Sequence, residues 1–157
     1  MKSIVLSSAM KELSARNAAV LAAYRDWARR LPPGPASMLA SSMAAQRSEL
    51  GKALAEIASD ISSLPSLLEP EVEFEVDPSP SAVIDAKSAS RGETAEPKGI
   101  LAAMADLETA EHELLAAAAG AALPLSSAAA ERLAGEAASA RIRSNWAHDH
   151  IDLLGMG

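Results

Sequence analysis

The chain has 157 residues, 49% of them apolar, and that apolar mass is Ala and Leu, with one Phe, one Tyr and two Trp. Such a composition suits helices that approach closely and is poor material for a β-sandwich, and the length allows a single domain, residues 1–157, with a real core. The absence of Cys excludes disulfides, thiolate metal sites and cysteine nucleophiles, and a net charge of -7 without a basic, aromatic-rich surface argues against nucleic-acid binding.

The apolar start Ile4-Val5-Leu6 is too short for a signal-peptide core, and no apolar run approaches a membrane span. The expectation is a soluble cytoplasmic protein with no membrane partner. Charge is unevenly placed. Residues 1–64 carry eight basic and five acidic groups (+3), whereas 65–98 and 99–157 each carry three and eight (-5 each). Opposite signs favour docking of the two helical halves, although exposed charges contribute weakly.

The first helix is expected over about 4–31. Leu6, Met10, Leu13, Asn17, Val20, Tyr24, Trp27 and Leu31 follow alternating steps of four and three, the seam of a helix packing at a shallow angle. Arg25, Arg29 and Arg30 complement the dipole at its end, and Pro32-Pro33-Gly34-Pro35 stops it and turns the chain. The second helix, about 36–64, carries Met43, Leu50, Ile57 and Leu64 interleaved with Arg47, Leu54 and Ile61, and the short loop makes an antiparallel hairpin. Gly51 near its centre either admits a close neighbour or lowers local helicity.

The crossover 65–97 holds prolines at 65, 70, 78, 80 and 97, which rule out a long helix. Within it Glu71-Val72-Glu73-Phe74-Glu75-Val76 alternates strictly, predicting a short strand with Val72, Phe74 and Val76 on one face. A lone strand needs a partner, either a groove of the bundle or the same segment of a second chain, and a homodimer is expected. Residues 79–96 are expected to be mobile.

The third helix, 98–122, places Ile100, Met104, Leu107, Glu111, Leu114 and Ala118 on its stripe. The fourth, 124–154, has Gly155 as its stop and two competing stripes. One reads Leu133, Glu136, Ala140, Arg143, Ala147, His150, Leu154; the other Ser139, Ile142, Trp146, Asp149, Leu153. The fold class is all-α: a four-helix bundle of two antiparallel hairpins in up-down-down-up order, with the long crossover and its extended segment between helices 2 and 3.

Leu107-Glu108-Thr109-Ala110-Glu111-His112-Glu113-Leu114-Leu115 resembles the third helix of rubrerythrin-like and other ferritin-like proteins, and Ser144-Asn145-Trp146-Ala147-His148-Asp149-His150-Ile151-Asp152-Leu153-Leu154 is similar to their last helix. The resemblance implies ferritin-like topology and a carboxylate-bridged di-iron site, with a Glu from each of two helices and Glu-x-x-His from each of the others. This chain departs from that pattern. The first helix offers Glu12 and Asp26 but has Asn17 at its central seam position; the second reads Gln46-Arg47-Ser48-Glu49 and contains no His. Glu108 and Glu111 are three apart, but His112 is turned about 100° from Glu111. Glu136 is followed by Ser139, and Asn145-x-x-His148 lacks the carboxylate.

The candidate metal ligands are therefore Glu108, Glu111, Glu136, His112, His148 and Asp152, with iron or manganese as the metal. The competing reading, and the expectation, is that Arg47, Arg141 or Arg143 neutralises Glu111 and Glu136 across the interface, since Arg47 and Arg143 also lie on apolar stripes. His148 and Asp152, four apart, share a face as two ligands would, or form a polar last turn at the helix dipole. No catalytic set emerges, because the many serines lack a nucleophile elbow. The expectation is a non-catalytic ferritin-like bundle with its di-iron site lost, acting as a structural or protein-interaction module without a cofactor. Two alternatives stand beside it: a metal-binding or redox bundle with an atypical carboxylate and His site, and a chaperone or adaptor that binds a partner's amphipathic helix.

Overall fold

A computed structural model describes residues 2–64, 69–88 and 96–156. In chain order these form β1 (Lys2–Val5), α1 (Leu6–Arg30), α2 (Pro35–Ser62), β2 (Glu71–Phe74), α3 (Ser81–Ser88), α4 (Pro97–Ala122) and α5 (Ser127–Met156). The protein is mostly helical, and α2 and α4 each begin on a proline, whose fixed φ and missing N–H suit the first turn. No helix among the described residues is long and apolar enough to cross a membrane.

The seam of α1 lies inward along its whole length: Leu6, Met10, Leu13, Asn17, Val20, Tyr24 and Trp27 are all buried. On α2 the buried set is Met43, Arg47, Leu50, Leu54, Ile57 and Ile61 with flanking alanines; on α4 it includes Ile100, Met104, Leu107, Glu111, Leu114 and Ala118. Of the two stripes on α5, the one through Leu133, Ala140, Arg143 and Ala147 is buried, while Ile142, Trp146 and Leu153 are exposed. The helix also runs on through Gly155, which does not stop it.

Directions follow from the side-chain pairs. Arg16 reaches Glu111 and Tyr24 reaches Met104, so α1 and α4 are antiparallel. Arg143 meets Glu108 as Arg47 does, and Arg132 meets Glu56, so α2 and α5 are antiparallel too. Hence α1 and α5 run one way and α2 and α4 the other, and the connection from α2 to α4 travels the length of the molecule.

The described part of that connection holds more regular structure than the sequence suggests. The strand partner of β2 comes from the same chain: β1 pairs with it antiparallel, Lys2 opposite Phe74 and Ile4 opposite Val72. The first helix accordingly begins at Leu6, because its first residues are used as a strand. Val72 and Phe74 point into the core while Glu71 and Glu73 face water. The backbone N–H of Leu6 donates to the Pro70 carbonyl at 2.9 Å and that of Ser7 to the Glu69 carboxylate at 2.7 Å, so the crossover caps the N-terminus of α1. Residues 81–88, expected as part of a mobile stretch, form α3, whose Val83 and Ile84 pack against the core. The rest of that expectation, residues 89–95, lies outside the described residues.

The core is split in two by a polar layer. One cluster holds Leu6 to Leu13, Leu50 to Ile61, Val72, Phe74, Leu114 to Ala122 and Ala129 to Ala140. The other holds Val20 to Leu31, Ala36 to Ala44, Ile100 to Leu107 and Ala147. On all four long helices the gap between the clusters is filled by buried polar residues: Arg16 and Asn17, Arg47, Glu108 and Glu111, Arg143 and Ser144.

Candidate functional site: a buried arginine and glutamate network

The polar layer is a single network. Glu108 accepts Arg47 Nε at 3.1 Å and Arg47 Nη2 at 3.0 Å, the forked geometry of a guanidinium on a carboxylate, and also Arg143 Nε at 2.7 Å. Glu111 accepts Arg47 Nη1 on one oxygen and Arg16 Nε at 3.2 Å on the other. Arg47 therefore spans both buried carboxylates of α4 from α2, while α1 and α5 each supply one further guanidinium. Its remaining reach is used as well: Nη1 also donates to Asn17 Oδ1 at 3.1 Å, and the guanidinium lies 5.7 Å from the Tyr24 ring centroid.

Backbone groups complete the layer. Arg16 donates to the carbonyls of Leu107 at 2.8 Å and Pro78 at 3.2 Å, which ties the crossover to the centre of the molecule. Asn17 Nδ2 donates to the Arg47 carbonyl at 2.9 Å. Thr109 and Ser144 share a 2.9 Å hydroxyl contact beside it. Three cations and two carboxylates leave the layer with one excess positive charge, each of the five at most 3% exposed.

The electrostatics follow from that burial. Desolvation disfavours the cation of Arg47, but Glu111 and Glu108 more than reverse this and hold its pKa above the ordinary range. For Arg16 desolvation prevails over the attraction of Glu111, and its pKa falls. Burial pushes the Tyr24 phenol well above its ordinary 10.0, with Glu108 adding to the effect. The sign is definite. Above pH 10 the unfolded phenol loses its proton and the folded one keeps it, so stability falls by about 1.4 kcal/mol per pH unit from this group. Denaturation series between neutral and alkaline pH are expected to show that slope, and Tyr24→Phe to remove its share.

Gly51 on α2 has a definite role here. A Cβ placed on it would lie 3.1 Å from Asn17 Nδ2. Asn17 is pinned by Arg47 at both ends of its amide and cannot yield freely. Gly51→Ala is therefore expected to lose stability by about 1 kcal/mol, despite alanine's helix propensity, as measured by urea denaturation.

The candidate residues from the sequence are distributed as follows. Glu108 and Glu111 are together and fully buried, with Arg47 on both. Arg143 pairs with Glu108, not with Glu136 or Glu111. Glu136 is half-buried and takes no ion pair among the described residues, because seven residues of helix place it about 10 Å along α5 from Arg143. Arg141 is exposed and takes no part. His112 turns away from the glutamates, and its Nδ1–H donates to the Ala137 carbonyl at 2.7 Å, a link between α4 and α5. His148 and Asp152 are exposed on α5, far from the network. Among the described residues no three His, Asp or Glu side chains gather as a metal site. The proposed iron or manganese ligand set is thus not brought together: its two buried glutamates are coordinated by guanidinium, and the other four lie elsewhere.

Arg16 was missed by the sequence reading. Its signal was present, since Ala9, Arg16 and Ala23 recur every seven residues on the face adjoining the seam and are buried beside it. Comparison with family models, with curated proteins and with solved structures gives no match.

Proposed function

We propose that this chain is a ferritin-like bundle in which arginines stand where the di-iron centre would be, acting as a non-catalytic structural or protein-interaction module. The observation that carries the reading is Arg47, whose one guanidinium engages both buried carboxylates of α4. Glu108 and Glu111 sit three apart on the third long helix, with Glu111 where the resemblance implies the His of Glu-x-x-His, and the helix directions follow the up-down-down-up order that a ferritin-like topology requires. The carboxylate oxygens that a metal would need are engaged by cations that stay charged at any physiological pH.

The network also lacks the parts of a catalyst. It has no His or thiol, and both of its carboxylates are taken up by guanidiniums. Its chemistry is to fix register: five charged groups from four helices pair in a single alignment, with Arg143 Nη2 left without a hydrogen bond, and any slip along a helix leaves a buried charge without a partner. The metal-binding alternative is decided by elemental analysis of untagged protein purified without chelator. The expected result is no stoichiometric iron or manganese. A stoichiometric metal that disappears in Glu111→Ala overturns the proposal.

A further inference from the structure

We propose that copies of this chain associate head to tail, the exposed apolar ridge of α5 in one copy seating in the basic groove between α1 and α2 of the next. The inference rests on the interaction-module reading and names its partner. Ile142, Trp146 and Leu153 are 49%, 38% and 63% exposed and fall on one stripe, opposite the buried Leu133, Ala140, Arg143 and Ala147. One of the chain's two tryptophans thus leaves more than a third of its surface uncovered, within an apolar stripe of the kind that another molecule covers. Asp149 lies on the same stripe between Trp146 and Leu153, and Asp152 flanks it; neither takes a partner among the described residues.

Charge decides the occupant. On α4 and α5 the exposed groups without an ion pair among the described residues are the acids Asp106, Glu113, Glu131, Asp149 and Asp152 against the cations Lys98 and Arg141, so a two-fold pairing of this face with itself brings together two surfaces of net negative charge. Like charges so placed oppose that pairing. The complementary surface is on the same chain. Between α1 and α2 a groove of about 490 Å³ has Arg25 and Arg29 on its rim and Ala28, Ser41, Ala44 and Ala45 as its walls. Met38, 71% exposed, stands three residues before Ser41 on α2 and extends its apolar edge. Small walls leave room for an indole, and Arg25, without an ion pair among the described residues, and Arg29, whose 3.6 Å pair with Asp26 is exposed, stand about 6 Å apart along α1 and match Asp149 and Asp152, about 4.5 Å apart along α5. Because α1 and α2 form one antiparallel pair and α4 and α5 the other, a copy cannot fill its own groove. The contact is heterologous, and it extends into a chain of copies or closes as a ring.

The test uses size-exclusion chromatography with light scattering on the full chain over a range of concentrations. The mass is expected to rise above that of a monomer with concentration and to fall with added salt. A ridge variant, Ile142→Ser with Trp146→Ser, and a groove variant, Arg25→Glu with Arg29→Glu, change exposed side chains only and are each expected to stay monomeric with unchanged helical circular dichroism. Mixed in equal amounts they are expected to form a species of two chains and no larger, since one retains only the groove and the other only the ridge. A wild type that stays monomeric, either variant assembling as the wild type does, or a mixture that stays monomeric overturns the proposal. None of those results bears on the metal-free reading, which depends on metal content alone.

Discussion

Replacing Arg47 by Met is expected to lower the stability of the fold by about 3–5 kcal/mol, the cost of leaving buried carboxylates without their cation. Most of a small domain's stability, about 5–15 kcal/mol, is then gone. The reason lies in the accounting of bonds. Arg47 supplies both forked contacts to Glu108 and one of the two cations on Glu111, and it holds Asn17 through Nη1. Lysine does not replace it, because a point charge on a flexible stem cannot span two carboxylates and an amide. Replacing Arg16, Arg47, Glu108, Glu111 and Arg143 together by apolar residues of similar volume is expected to recover the loss, since no charge is then left buried alone. Urea denaturation of the single and the fivefold variant checks both statements, and a loss below about 1 kcal/mol for Arg47→Met contradicts the first.

Phe74→Ala is expected to cost about 3–5 kcal/mol, although the residue lies in the crossover and outside every helix. Phe74 is 1% exposed and packs in the cluster that holds Leu6, Leu54, Leu114 and Leu133. It anchors β2 against β1, and β2 continues from the Glu69 and Pro70 contacts that satisfy the first turn of α1. Losing the anchor therefore weakens the helix start as well as the core. Amide hydrogen exchange is expected to show faster exchange at Leu6 and Ser7 in this variant, and protection equal to the wild type contradicts the coupling.

The long helices were legible because each carries its period in full. The α1 seam needs no knowledge of its partners, and every residue on it is buried. The strand expected over Glu71 to Val76 was legible for the same reason, since alternation is local, although β2 ends at Phe74. Its partner was not. Lys2 to Val5 is four residues long and runs without a break into the apolar pattern of α1, so nothing local separates strand from helix. On α5 alanine recurs around the whole circumference, so two stripes carry similar apolar weight and only the neighbouring helices decide between them. In the candidate site, Glu111 was legible as a carboxylate on an apolar stripe. Glu108 is buried on the adjoining face, and its pairing with Arg143 depends on the relative height of α4 and α5, which no single helix encodes.

Three guanidiniums are locked onto two carboxylates where the four long helices meet. The side-chain Nε–H groups of Arg16, Arg47 and Arg143 each donate to Glu108 or Glu111. Hydrogen exchange at arginine Nε, followed by nuclear magnetic resonance with assignment by Arg→Lys substitution, reads those bonds one at a time. Of the nine arginines in the chain, these three are expected to exchange far more slowly than the exposed Arg25, Arg29 and Arg141. Exchange at the exposed rate for all three contradicts the account.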